Sequence, residues 1–148
     1  MNEVFAMMKF PSNVGDAMSS PVITVDEETN VRDSATLMTD KGIGSLIILE
    51  DGKPVGIVTK RDMIKRVVSE CKDPCWTKIR DIMTSPVIIT SKDVGILSAM
   101  RTMREHQISQ LLVLDDDRMV GVISERDLIK AVSYASLASF TPLMRGKK

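Results

Sequence analysis

A chain of 148 residues, 43% hydrophobic and 27% charged, can bury a sizeable core as one domain or as two closely coupled ones. Its twenty basic and twenty acidic residues cancel, which removes the broad positive field that recruits nucleic acid or an anionic membrane, although a local basic pocket stays available. One Trp, one Tyr and three Phe are too few for the stacking platforms of single-strand binders, whereas eleven Met offer flexible filler for a core or an interface. Cys71 and Cys75 with the single His106 fall short of a zinc site. They read as free thiols, with a Cys71–Cys75 disulfide or a shared intermolecular metal as the alternatives.

In chain order, Met1 to Phe10 carry an early acid and neither a long apolar run nor a small-residue cleavage site. Neither a leader nor a membrane span is expected, and a cytoplasmic location follows by default. Phe5 to Phe10, and Leu137 to Met144 at the other end, hold enough apolar residues to add a strand or helix to the module or to a partner chain. Between them the sequence repeats. An offset of 65 aligns Val14–Val68 with Ile79–Ser133 without a gap, and 18 of the 55 pairs are identical. The linker, Ser69–Lys78, is polar and contains Pro74, as a boundary should.

Each repeat opens on a polar turn ending in Pro21 or Pro86, followed by a short strand, Val22–Val25 or Val87–Thr90. A helix comes next, started by Thr29 or Asn30 in the first copy and Asp93 in the second. Val31, Ala35 and Met38 share one of its faces, matched by Ile96, Met100 and Met103. Gly42 supplies a stop in the first copy; Gln107 stands there in the second, whose helix end needs another solution. Two strands then form a hairpin, Ser45–Leu49 with Val55–Thr59 and Gln110–Leu114 with Met119–Ser124. The runs Leu46–Leu49 and Leu111–Leu114 are apolar on both faces, so both sides of each sheet should be covered. A last helix carries Met63, Ile64, Val67 and Val68, matched by Leu128, Ile129, Val132 and Ser133. A repeat of roughly 55 residues is near the lower limit for an independent core, so the two copies should pack together.

The chemistry concentrates where the closing strand meets that last helix, in Gly56-Ile57-Val58-Thr59-Lys60-Arg61-Asp62 and Gly121-Val122-Ile123-Ser124-Glu125-Arg126-Asp127. Thr59 and Ser124 read as N-caps, and Asp62 and Asp127 complete capping boxes. A helix N-terminus suits an anion such as phosphate, with Arg61 or Arg126 nearby. A carboxylate carries two acceptor oxygens, more than a hydroxyl offers in that place. Lys60, Arg61 and Lys65 gather at the first junction, whereas Glu125 replaces Lys60 at the second and Arg126 and Lys130 remain. A charge reversal near phosphate is worth about a kcal/mol or a little more. The first junction should therefore tolerate a more highly charged anion than the second. Thr24 offers a hydroxyl to a ligand where the second copy has Ile89, and His106 reads as a helix C-terminal cation. On the plain alternative the boxes only cap helices, and the Arg-Asp pairs are exposed ion pairs of little worth.

The duplicated Met-x-Ser-Pro-Val-Ile openings and the Gly-Ile-Val-Thr-x-Arg-Asp and Gly-Val-Ile-Ser-x-Arg-Asp closings resemble a tandem of CBS domains, a Bateman module, over residues 14 to 133. The resemblance implies an α+β fold of two β-α-β-β-α motifs packed by pseudo-twofold symmetry with two interfacial clefts. Residues 1–13 would be an N-terminal extension, 14–68 the first motif, 69–78 a linker, 79–133 the second motif and 134–148 a tail. It also implies adenosyl ligands, commonly AMP, ADP or ATP and sometimes S-adenosylmethionine. Thr59 and Asp62 would hold ribose and phosphate in one cleft, Ser124 and Asp127 in the other. The base would lie against Val22, Ile23, Ile43, Gly44 and Ser45, or against Val87, Ile88, Ile108, Ser109 and Gln110. With so few aromatic residues, aliphatic side chains would grip it and backbone groups specify it.

No Walker loop, zinc helix or nucleophile with a base is recognisable, so no enzyme and no catalytic cofactor are expected. The reading is a stand-alone sensor of adenine nucleotides that reports occupancy to an unidentified partner protein and forms a homodimer through methionine-rich helix faces. A dimerisation or docking module without a ligand is the runner-up. Nucleic-acid binding through Arg145-Gly146-Lys147-Lys148 is disfavoured by the zero net charge.

Overall fold

The computed structural model describes residues 11–144, and their side chains as far as Leu137. In chain order it contains α1 (Val14–Ala17), β1 (Thr24–Asp26), α2 (Val31–Lys41), β2 (Ser45–Glu50), β3 (Lys53–Thr59) and α3 (Lys60–Met63), which continues as a π-turn over Ile64–Val68. A 3₁₀ turn (Ile79–Asp81) precedes β4 (Ile89–Ser91), α4 (Ile96–His106), β5 (Gln110–Asp115), β6 (Arg118–Ser124) and α5 (Glu125–Met144). The fold is mixed α and β, with a three-stranded sheet in each repeat. The central strand, β2 or β5, runs parallel to β1 or β4 and antiparallel to β3 or β6.

Two compact units result: residues 22–87, and the chain up to Pro21 together with Ile88 onward. Each therefore takes its opening segment from the other sequence repeat. In the first-named unit, Thr84 exchanges both backbone hydrogen bonds with Ile57 on the outer edge of β3, at 2.9 and 3.0 Å, and Ser85 Oγ donates to the Val55 carbonyl at 2.8 Å. Ser19 does the same with Val122 on β6, at 2.9 and 3.0 Å. Both Ser-Pro bonds of the openings, Ser20-Pro21 and Ser85-Pro86, are cis. These borrowed segments also fill the cores: Ile79 and Ile82 are fully buried with Val31, Met38 and Val58, and Val14 with Ile96, Met103 and Ile123. Full burial of a side chain of this kind is worth about 1.5–3 kcal/mol.

The central strands are buried on both faces as the sequence requires. Leu46, Ile47 and Ile48, and Leu111, Leu112 and Val113, are all inaccessible to solvent. The first strand of each repeat starts later than expected, at Thr24 and Ile89 instead of Val22 and Val87. Its pairing begins with the Ile23 and Ile88 carbonyls, which accept from Ile47 and Leu112 N–H at 3.0 Å. The hairpin loops are tighter than the expected strand bounds imply, with Asp51-Gly52 and Asp116-Asp117 as two-residue turns. Positive φ at Asp51, Gly52 and Asp116 makes the reversal.

Helix α2 is capped by Asn30, whose side chain accepts from Asp33 N–H at 2.8 Å, and it ends at Gly42 with φ 63°. Helix α4 starts at Gly95, not Asp93, and has no side-chain cap; Gln107 adopts the same left-handed conformation as Gly42, with φ 53°. The middle buried position of each helix is one residue earlier than the apolar pattern implied. Ser34 and Ala99 are inaccessible, while Ala35 is only partly covered and Met100 is exposed. The residues there are small, and Ser34 satisfies its buried hydroxyl on the Asn30 carbonyl at 3.0 Å.

The last helices differ between copies. In the first, α3 passes after one turn into the π-turn, whereas α5 runs for 20 residues and absorbs the apolar stretch from Leu137 to Met144. Phe5 to Phe10 and Arg145 to Lys148 lie outside the described residues. No helix among those described is long and apolar enough to cross a membrane.

Candidate functional site

Each candidate site is assembled at the N-terminal end of a central strand, within one unit. Ser45 faces Thr59 across β2 and β3, and Gln110 faces Ser124 across β5 and β6. The segment entering the central strand is tied to the helix start: Lys60 N–H donates to the Gly44 carbonyl at 3.2 Å, and Glu125 N–H to the Ser109 carbonyl at 2.8 Å. On the other side of the central strand, the bond from Ile47 N–H to the Ile23 carbonyl brings up Val22, Ile23 and Thr24; Leu112 and Ile88 repeat it. The fold thus gathers Ile43, Gly44 and Ser45 with Thr59–Asp62, and Ile108, Ser109 and Gln110 with Ser124–Asp127. Val87 falls at the edge of the first unit, one residue before the second resumes at Ile88.

Both capping boxes are formed. Thr59 N–H and Oγ donate to Asp62 Oδ2 at 2.8 and 3.1 Å, and Asp62 N–H donates back to Thr59 Oγ at 3.3 Å. In the second copy the same three bonds measure 2.9, 2.9 and 3.2 Å between Ser124 and Asp127. Each box uses only one carboxylate oxygen, and both carboxylates are partly buried. The amides expected to cradle an anion are less free than the sequence implied, because residues 60 and 62, like 125 and 127, donate within the chain. The exposed cations Lys60, Arg61, Lys65, Arg126 and Lys130 form no ion pair with a carboxylate among the described residues.

The profile of the CBS domain matches residues 14–69 and again 79–134. This chain belongs to the CBS-domain family. A protein with CBS domains from Burkholderia ambifaria MC40-6 has a similar structure, with a TM-score of 0.73 and 32% identity over 82% of this chain and 93% of that one. A CBS domain pair solved in complex with 5′-methylthioadenosine and S-adenosyl-L-methionine superposes with a TM-score of 0.71, at 29% identity over 83% of this chain and 97% of that one. An uncharacterised protein of Methanopyrus kandleri is 33% identical over 82% of this chain, which spans 63% of that relative.

Two features of this CBS pair escaped the sequence reading. Arg66 approaches Asp62 Oδ1 at 4.0 Å and anchors its other nitrogen on the Ile82 and Met83 carbonyls at 2.8 and 2.9 Å. The Asp62-to-Arg66 spacing of four residues was the available signal. Gly56 and Gly121 are the other feature. A Cβ on Gly56 would stand 2.5 Å from Met83 Sδ, and one on Gly121 2.5 Å from Met18 Sδ and 2.8 Å from the Ser19 carbonyl. The methionine of each opening therefore packs on the glycine that starts a closing motif. Elsewhere, Cys71 and Cys75 are exposed free cysteines, and His106 is the exposed last residue of α4, its Nδ1 3.0 Å from the Thr102 carbonyl. No cluster of His, Cys, Asp and Glu suited to a metal is present among the described residues.

Proposed function

We propose that this CBS pair is a regulatory module that binds adenosyl ligands at the Thr59/Asp62 and Ser124/Asp127 junctions and reports their occupancy to a partner protein. The observation that carries this reading is the duplicated carboxylate with one oxygen committed to the helix cap and the other outside it, facing Arg66 in the first copy only. A ribose cis-diol needs such an acceptor. The related pair solved with 5′-methylthioadenosine and S-adenosyl-L-methionine supports the ligand class. AMP, ADP and ATP join S-adenosylmethionine as the compounds to test. Ligand acts by its differential affinity for two states of the module, and the protein itself performs no catalysis.

Charge separates the two junctions. Lys60, Arg61 and Lys65 surround the first and favour ADP or ATP; Glu125 at the second favours AMP or an uncharged 5′ extension. Exchanging Lys60 and Glu125 should exchange these preferences in competition titrations, and preferences that stay put would reject the charge argument. The primary test is isothermal titration of the native protein, Asp62→Ala and Asp127→Ala with AMP, ADP, ATP and S-adenosylmethionine. Saturable binding lost with one aspartate supports the reading. Absence of binding at millimolar ligand favours a docking or dimerisation module.

Self-association has its own support in a shallow apolar groove of about 340 Å³ beside α4 and α5, lined by Pro11, Ile96, Leu97, Ala131 and Val132. Leu97 is 74% exposed and the neighbouring Ile129 56%. A homodimer would cover this face with a second copy. Of the methionines expected there, Met38 and Met103 are buried, whereas Met100 is 37% exposed.

A further inference from the structure

The two junctions carry the same capping box but leave different polar atoms over. At the first, Asp62 Oδ1 has the Arg66 guanidinium 4.0 Å away, held there by the Ile82 and Met83 carbonyls. At the second, Ala131 occupies the position matching Arg66, and Asp127 Oδ1 meets no cation or donor among the described residues. The strand residue facing the cap differs as well: Ser45 opposite Thr59, Gln110 opposite Ser124. Residues directly opposite on an antiparallel pair share a face of the sheet, so Gln110 projects on the face that carries Ser124 Oγ.

Gln110 Oε1 is buried without a hydrogen-bond partner, alone in this among side chains of the described residues. Its neighbour cannot satisfy it, because Ser124 Oγ donates its hydrogen to Asp127 Oδ2 at 2.9 Å. An orphaned buried acceptor carries a desolvation cost that a donor would remove. The second junction thus presents two uncommitted acceptors, Asp127 Oδ1 and Gln110 Oε1. The first presents one carboxylate oxygen already facing a cation.

We infer that the Ser124/Asp127 junction is the stronger adenosyl site of this chain, and that Gln110 is its specificity-determining residue, accepting a hydrogen bond from an N–H or O–H of the ligand. The inference rests on the proposed function and specifies it. Two acceptors beside Glu125 select a donor-rich adenosyl compound with its ribose diol intact and little negative charge. Ser45 imposes no such demand on the first junction.

The test is isothermal titration of the full chain with AMP and with 5′-methylthioadenosine. It compares the native protein with Asp62→Ala, Asp127→Ala, Gln110→Leu and Gln110→Ser, and records the thermal melt of each without ligand. The stronger site should vanish in Asp127→Ala, survive in Asp62→Ala and weaken about tenfold in both Gln110 variants, as expected for one lost hydrogen bond. The melting temperature of unliganded Gln110→Leu should not fall, because that change removes an unsatisfied acceptor. Unchanged affinity in the Gln110 variants, or a stronger site that disappears with Asp62, would overturn the inference while leaving the proposed function standing. No binding of either compound to the native protein would overturn both.

Discussion

At the second closing motif, a single added methyl group decides whether the opening segment can stay in place. A Cβ on Gly121 would meet the Ser19 carbonyl at 2.8 Å, and that same residue exchanges two backbone bonds with Val122, so neither side can retreat without breaking the pairing. Gly121→Ala should destabilise the protein by about 2 kcal/mol, the range typical of overpacking. Gly44→Ala is the control, since nothing lies within 4 Å of its Cβ position and its φ is not positive. Urea denaturation should separate the two variants, and equal midpoints would show that the contact relaxes freely. The caps make a second residue-scale prediction. Thr59→Ala and Ser124→Ala each remove an N-cap and should cost about 1 kcal/mol in the same assay. The two aspartates were legible from their spacing to Thr59 and Ser124. The role of Gly121 was not, because its contact lies more than a hundred residues away in sequence.

Among the elements, the two long helices show how one geometry is reached with different residues. Helix α2 ends on Gly42 and α4 on Gln107, both left-handed, and only glycine enters that region without a steric cost. Gln107→Gly should therefore stabilise the protein by about 1 kcal/mol, read as a rise in melting temperature. The loop between β1 and α2 is linked to the end of the interrepeat segment by Glu28, which pairs with both Lys78 and Arg80. The hydrogen bond from Lys78, with the Arg80 charge beside it, holds the Glu28 carboxyl below its ordinary range. The folded chain thus binds this proton less tightly than the unfolded chain. The contribution of Glu28 is full above the ordinary glutamate value near 4.5 and is lost as pH falls through the lower folded value. Glu28→Gln should be less stable than the native protein at neutral pH, by a small amount since the groups are exposed, and the gap should close in acid. Glu27 acts in the opposite sense, its carboxyl raised by burial and by Glu50. A gap that persists at low pH would assign the effect of the substitution to packing.

For the whole molecule, the arrangement of the apolar surface bears on assembly. Leu97 on α4 and Val132 on α5 are exposed and line one groove, and Ile129 is a further exposed apolar residue of α5. Leu97→Glu should shift sedimentation toward monomer while leaving the urea midpoint of the monomer unchanged, because the side chain is mostly solvated. An unaltered sedimentation profile would place any self-association elsewhere. The two capped junctions proposed to bind ligand lie within single units, and any ligand preference is predicted to survive in that variant, which calorimetry can check on the same sample.

The sequence by itself determined the duplication, the order of strands and helices in each copy, the two-sided burial of the central strands and both capping boxes. Each of these depends on residues close together in the chain: apolar periodicity, a turn residue, a hydroxyl three positions before a carboxylate. The tertiary structure alone decided that each sheet is completed by the opening of the other repeat, since backbone pairing carries no sequence code that names its partner. It alone placed Arg66 against Asp62 and left Gln110 without a partner. The four-residue spacing allows the first contact but does not show the Ile82 and Met83 carbonyls that hold Arg66, and no spacing rule specifies the second. The shift of the buried helix position from Ala35 and Met100 to Ser34 and Ala99 has the same origin. Periodicity finds the apolar side of a helix, whereas tertiary packing decides which residue on that side is covered.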